Sequence, residues 1–119
     1  MNLESEIQYF TELAYIDKAR LLNLLLHELA EAARATYGPT PEKVHDGLRL
    51  RLVNELVHRL TRLIEQLLAQ DVTRPSDDVV MRMLLAGRAD KATEQLLHNS
   101  YSRAIRSFES YDTTVLMSS

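Results

Sequence analysis

Apolar residues recur at helical spacing along most of this chain, and the clearest case is Leu48 to Gln70, LRLRLVNELVHRLTRLIEQLLAQ, which contains neither Gly nor Pro. At about 100° per residue, Leu48, Leu52, Leu56, Leu60, Leu63 and Leu67 fall on one face, and Leu50, Val53, Val57, Ile64 and Leu68 widen it on one side. Arg51, Glu55, His58 and Arg62 gather on the opposite, wet face. An apolar face wider than one neighbour covers predicts a central helix of a bundle, or a helix that packs on a second copy of itself.

The same pattern predicts the remaining elements. Leu3, Ile7, Phe10, Ala14, Leu21, Leu25 and Ala32 mark a first helical region from about Glu4 to about Thr36. It reads equally well as a short helix followed by a longer one, with a bend at Tyr15-Ile16 and Asp17 capping a new helix from Lys18. Tyr37-Gly38-Pro39-Thr40-Pro41 ends it, and Thr40 with Pro41 is a natural start for the second long helix, reaching Gln70 with Gly47 as a soft spot. Asp71 to Ser76 reads as a turn, after which Ser76 or Thr73 caps a short helix carrying Val79, Val80, Met83 and Leu84. Gly87 ends it, and Asp90 caps a last helix with a stripe of Leu97, Tyr101, Ala104 and Phe108, widened by Leu96 and Ile105.

These elements predict an all-α fold, an antiparallel bundle of four or five helices, two long and two short, that dimerises. Residues 1–108 form one domain, and 109–119, in which Val115, Leu116 and Met117 make a small apolar knot, form a flexible C-terminal tail. Leu50, Val53, Val57, Ile64 and Leu68 are the expected dimer seam.

Composition narrows the function classes more than it selects one. With 119 residues, 45% hydrophobic and 26% charged, the chain is large enough for one core and lies outside the disordered range. The net charge of −3 argues against a general nucleic-acid coat, although the segment from Arg74 to Phe108 is mildly basic. The sequence has no cysteine, which removes disulfide, zinc-thiolate and cysteine-nucleophile chemistry and suits a reducing cytoplasm. The start, MNLESEIQYF, lacks the basic and then apolar pattern of a secretory signal, so a cytoplasmic location is expected.

Three constellations carry candidate chemistry. Glu55-Leu56-Val57-His58-Arg59-Leu60, followed by Leu63, resembles the phosphoacceptor helix of one class of bacterial sensor histidine kinases. The resemblance implies phosphorylation of His58 on an exposed helix face, with Arg59 and Arg62 neutralising the phosphoryl group and Glu55 holding a ring nitrogen. Thr61-Arg62 departs from the basic residue and Asn of that family, and the sequence has no Gly-rich phosphate loop, so this reading is of a phosphotransfer protein without its own kinase domain.

Leu84-Leu85-Ala86-Gly87-Arg88-Ala89-Asp90-Lys91, running to Leu97 and Ser100, resembles the helix-turn-helix of two-component response regulators in its Gly, Lys, Leu and Ser, which implies DNA binding through residues 79–108 with Arg88, Lys91, Arg103 and Arg106 as phosphate contacts. Glu94 stands where that motif buries a small Ala, and Arg103-Ala104 replace its Thr-Val pair. Glu42 with His45, Glu55 with His58, His27 with Glu31, and Glu94 with His98 have the spacing of helical metal ligands. Nothing in the sequence makes them converge, and no metal or other cofactor is expected. Glu4, Glu6, Glu12, Asp17, Glu28, Glu31 and Glu42 read as solvated helix faces, and Met81, Met83, Tyr9, Tyr15, Tyr37 and Tyr101 as core or interface filler. The preferred reading is a small non-enzymatic helical protein in a regulatory or adaptor role, acting by protein–protein contact with itself and with another protein. DNA regulation and phosphotransfer are the alternatives, and neither nucleic acid nor membrane is the expected partner.

Overall fold

The computed structural model describes residues 2–37, 44–86 and 91–118, with side chains at all of these except 36, 37, 44–50, 52 and 111–118. Five helices follow in order: α1 (Leu3–Thr11), α2 (Tyr15–Tyr37), α3 (Val44–Leu68), α4 (Asp77–Ala86) and α5 (Lys91–Ser118). No strand occurs among the described residues, so the fold is an all-helical bundle. No helix among them is long and apolar enough to cross a membrane.

The first helical region is two helices, broken three residues earlier than the pattern suggests. Asn2 caps α1 by accepting the Ser5 N–H at 2.8 Å, and the chain leaves the helix at Glu12. The Lys18 N–H donates to Ala14, so α2 begins at Tyr15 and Asp17 sits inside its first turn rather than capping it. The proposed start of the second long helix at Thr40-Pro41 lies outside the described residues, as do Gly87 and Asp90.

α3 stops after Leu68 through paired hydrogen bonds, Asp71 N–H to Gln66 C=O and Gln70 N–H to Leu67 C=O. This is a Schellman ending, which demands a left-handed residue, and Gln70 adopts it at φ 54°. The Asp71 carboxylate then accepts from the Thr73 N–H and hydroxyl, shaping the turn. Ser76 stands before α4 as expected, its carbonyl accepting the Val80 N–H.

The sequence pattern makes Leu48 to Gln70 the central helix, whereas α2 occupies that place. It packs along both α3 and α5, which touch each other little. Leu21, Leu22, Leu25 and Leu29 are fully buried, and Leu24 and Leu26 flank them half-buried. Taken with Ala19 and Ala33, they cover roughly three fifths of the helix circumference at 100° per residue, whereas the buried and half-buried apolar side chains of α3 among the described residues, Val53, Leu56, Val57, Leu60, Leu63, Ile64 and Leu67, cover about a third. Glu28 falls inside the α2 arc and is matched there by Arg103 of α5, at 3.1 Å.

α3 buries Val53, Leu56, Leu60, Leu63, Ile64 and Leu67 on one side and leaves the other wet. The α5 stripe of Leu97, Tyr101, Ala104 and Phe108 is buried as its spacing requires. α5 continues through residues 109–118 rather than ending near Phe108, which makes it a third long helix. Ser, Thr and Asp lower helix propensity by only tenths of a kcal/mol each, and without Gly or Pro a helix already formed propagates through them.

Candidate interaction site

α4 packs on α1 and α5 rather than closely on α3, and the space between it and the C-terminal half of α3 is an open groove. Three ion pairs, on two carboxylates, hold α4 there. Asp77, in its first turn, receives Lys18 of α2 at 2.6 Å and Arg74 of the preceding turn, all three side chains being largely shielded. Burial works against ionisation of Asp77, but the two cations outweigh it and hold its carboxyl below the usual range. Arg82 makes a bidentate pair with Glu4 of α1, at 2.6 and 2.8 Å.

The groove has a volume of about 260 Å³ and is lined by Leu60, Leu63, Leu84, Val80, Met83, Pro75 and Gln66, with Arg59 and Arg62. Leu60, Leu63 and Leu84 belong to the core, so its base is apolar, while Met83 is 59% exposed beside half-buried Val80. Met83 is therefore not core filler, in contrast to Met81, which is fully buried. Arg59 and Arg62 are exposed and, among the described residues, have no carboxylate within ion-pair distance.

A second, more polar depression of about 660 Å³ lies around the turn, with Thr11, Tyr15, Gln70, Asp71, Val72, Arg74, Asp77 and Asp78 in its wall. Its carboxylates are engaged: Asp77 by Lys18 and Arg74, Asp71 by Thr73, and Asp78 by Ser76. Tyr15 is 49% exposed here rather than buried.

The expected seam residues do not form one free face. Val53 and Ile64 are buried within the single chain, Val57 is half-buried against its core, and Leu68 is 52% exposed. The Leu50 side chain lies outside the described residues. Glu55, His58, Arg59 and Arg62 are all exposed on α3, and no hydrogen bond joins Glu55 to His58 among the described residues. Of the proposed DNA contacts, Lys91 and Arg106 are exposed, Arg103 is half-buried and bound to Glu28 and Ser100, and Arg88 lies outside the described residues.

The acidic residues are not uniformly solvated. Glu6 is only 2% exposed, with its Oε2 atom 3.2 Å from His98 Nδ1 of α5 but without a hydrogen-bond donor among the described residues. Burial pushes its carboxyl above the usual range, and the neighbouring imidazole opposes that shift. The Tyr101 hydroxyl donates to the Glu6 backbone carbonyl at 3.1 Å, and burial raises the phenol's pKa. Thus His98 faces Glu6, whereas the sequence spacing had suggested Glu94. A signal for this existed: Glu6 lies one turn from both Leu3 and Phe10, on the apolar side of α1. Among the described residues no group of three or more His, Cys, Asp or Glu is placed to hold a metal ion.

No protein-family model, no curated protein and no solved structure matches this chain.

Proposed function

We propose that this chain is a non-enzymatic interaction module of the cytoplasm, in a regulatory or adaptor role, whose working surface is the groove between α3 and α4. The supporting observation is a solvent-open apolar base with a raised Met83 wall and, at its rim, Arg59 and Arg62, which have no ion-pair partner among the described residues. Exposed apolar area rimmed by polar groups marks contact surfaces. At about 260 Å³ the groove falls below the roughly 300–1,000 Å³ of small-molecule and cofactor sites, so a few side chains of a partner fit it better.

Contact through Leu50, Val53, Val57, Ile64 and Leu68 gives way to this surface, because the chain's own helices already cover Val53 and Ile64. The test places a photo-crosslinking residue at Met83 in the native host, with Ser107, exposed on α5, as control. Discrete adducts at position 83 and none at 107 are expected. An adduct of twice the chain's mass would assign the surface to self-association. Equal adducts at both positions, or none, would refute the reading.

The exposure of His58 on the helix that carries Arg59 and Arg62 keeps phosphotransfer as a second reading. Incubation with acetyl phosphate and mass spectrometry of the intact chain would show an acid-labile phosphate on His58, and an unmodified chain would remove it.

A further inference from the structure

We infer that the occupant of the α3/α4 groove is an acidic amphipathic helix of another protein, an inference that rests on the contact reading above. A groove between two helices suits a third helix, whose side chains at i, i+3, i+4 and i+7 reach its base. The leucines Leu60, Leu63 and Leu84 below, with Val80 and Met83 at the side, supply the apolar half of that match.

The charge at the rim selects the partner. Arg59 and Arg62 are one helical turn apart, about 4.5 Å along the axis, so they fit carboxylates spaced by one turn on a helix lying alongside. The other arginines on the α4 side are engaged: Arg74 with Asp77 and Arg82 with Glu4. Arg59 and Arg62 have no such partner among the described residues, although Glu55 and Glu65 lie on the same helix. Opposite charge on the incoming helix satisfies them and guides its approach, while a basic helix is repelled. Guanidinium groups also offer carboxylates paired N–H donors, which makes the match geometric as well as coulombic.

The test titrates the full chain into two fluorescein-labelled peptides of four helical turns. Both carry leucine at i, i+3, i+4 and i+7; one carries glutamates on its flanks and the other lysines. Fluorescence anisotropy should show saturable binding of the glutamate peptide, weakening as salt is raised. Amide shifts should be confined to α3, α4 and the turn between them. The double variant Arg59→Glu, Arg62→Glu should lose about tenfold in affinity, and Met83→Glu should abolish binding, with both variants melting as the parent does.

Equal binding of the two peptides would overturn the acidic partner while leaving the groove as a contact surface. An unchanged affinity in the double variant would overturn it too. Binding of neither peptide would overturn the acidic helix, and adducts at position 83 would then judge the surface separately.

Discussion

α2 and the α3/α4 groove contain the same kinds of side chain and put them to opposite uses. In α2 the leucines are covered on two sides by α3 and α5, so their apolar area is already removed from water. At the groove, Leu60, Leu63 and Leu84 are covered from below while Met83 and Val80 stand beside an opening that no element fills among the described residues. One region holds the molecule together and the other leaves apolar side chains beside water. The sharpest way to break this contrast is to truncate one residue in each. Leu25→Ala should destabilise by about 3 kcal/mol through lost transfer energy and a cavity, read as a lower urea midpoint. Met83→Ala should stay within about 0.5 kcal/mol, as for an exposed site. If the two cost the same, Met83 is part of the fold and the groove is no site.

The next effect in size concerns what keeps the two regions apart. Asp77 ties the start of α4 to α2 through Lys18. Asp77→Ala leaves two largely shielded cations without their carboxylate and should cost about 2 kcal/mol. It should also weaken binding of the glutamate peptide, since the groove's wall is no longer held. Destabilisation with undiminished peptide binding would show that the groove does not depend on this pair. The pH dependence has a definite sign. Because the folded pKa of Asp77 lies below its ordinary 3.8, its contribution is present above that pH and is lost as pH falls through the folded value. Exposed Asp71, Asp78 and Glu4 are shifted in the same direction and add to the acid-side loss.

Glu6, at the contact of α1 with α5, works the other way. Its raised carboxyl pKa means that the folded chain binds the proton more tightly than the unfolded one. Its contribution is therefore complete below the ordinary value of 4.5 and is lost as pH rises through the folded value. Glu6→Gln removes the charge and keeps the shape, so it should raise the urea midpoint at pH 7 and leave it nearly unchanged at pH 4. The same gain at both pH values would show that charge burial is not the cause.

How much of this could be read along the chain depends on how far apart the partners lie. The helices were legible because their apolar spacing is local: the stripe of Leu97, Tyr101, Ala104 and Phe108 is buried as written, and Ser76 precedes α4 as a cap should. The rank of the helices was not, because RLLNLLL of α2 and the leucine ladder of α3 span similarly wide apolar arcs, and only packing between residues distant in sequence decides which helix is covered on two sides. The exposed polar face of α3 was legible, since charged residues on the far side of a ladder have nowhere else to go. The groove was not, because it depends on where α4 packs, and the ion pairs that join α4 to α2 and α1, Lys18 with Asp77 and Glu4 with Arg82, have members distant in sequence. The contact of Glu6 with His98 was hidden for the same reason, although the place of Glu6 between Leu3 and Phe10 carried a local trace of it.

The smallest effect lies where α3 gives way to the turn that carries Pro75 to the groove. Gln70 is exposed and held left-handed at φ 54° by the Schellman ending of α3, a conformation that costs a residue with a Cβ about 1 kcal/mol or more. Gln70→Gly removes that cost but adds freedom to the unfolded chain, worth about 0.4–1 kcal/mol in the opposite direction. With the left-handed cost at about 1 kcal/mol, the balance is a stabilisation between zero and about 0.6 kcal/mol. It should shift the urea midpoint slightly upward without changing the slope of the transition. Because the two hydrogen bonds that end α3 run through backbone atoms, the turn keeps its path and glutamate-peptide binding should not change. A drop in stability would show that the Gln70 side chain, rather than the backbone alone, shapes the turn beside the groove.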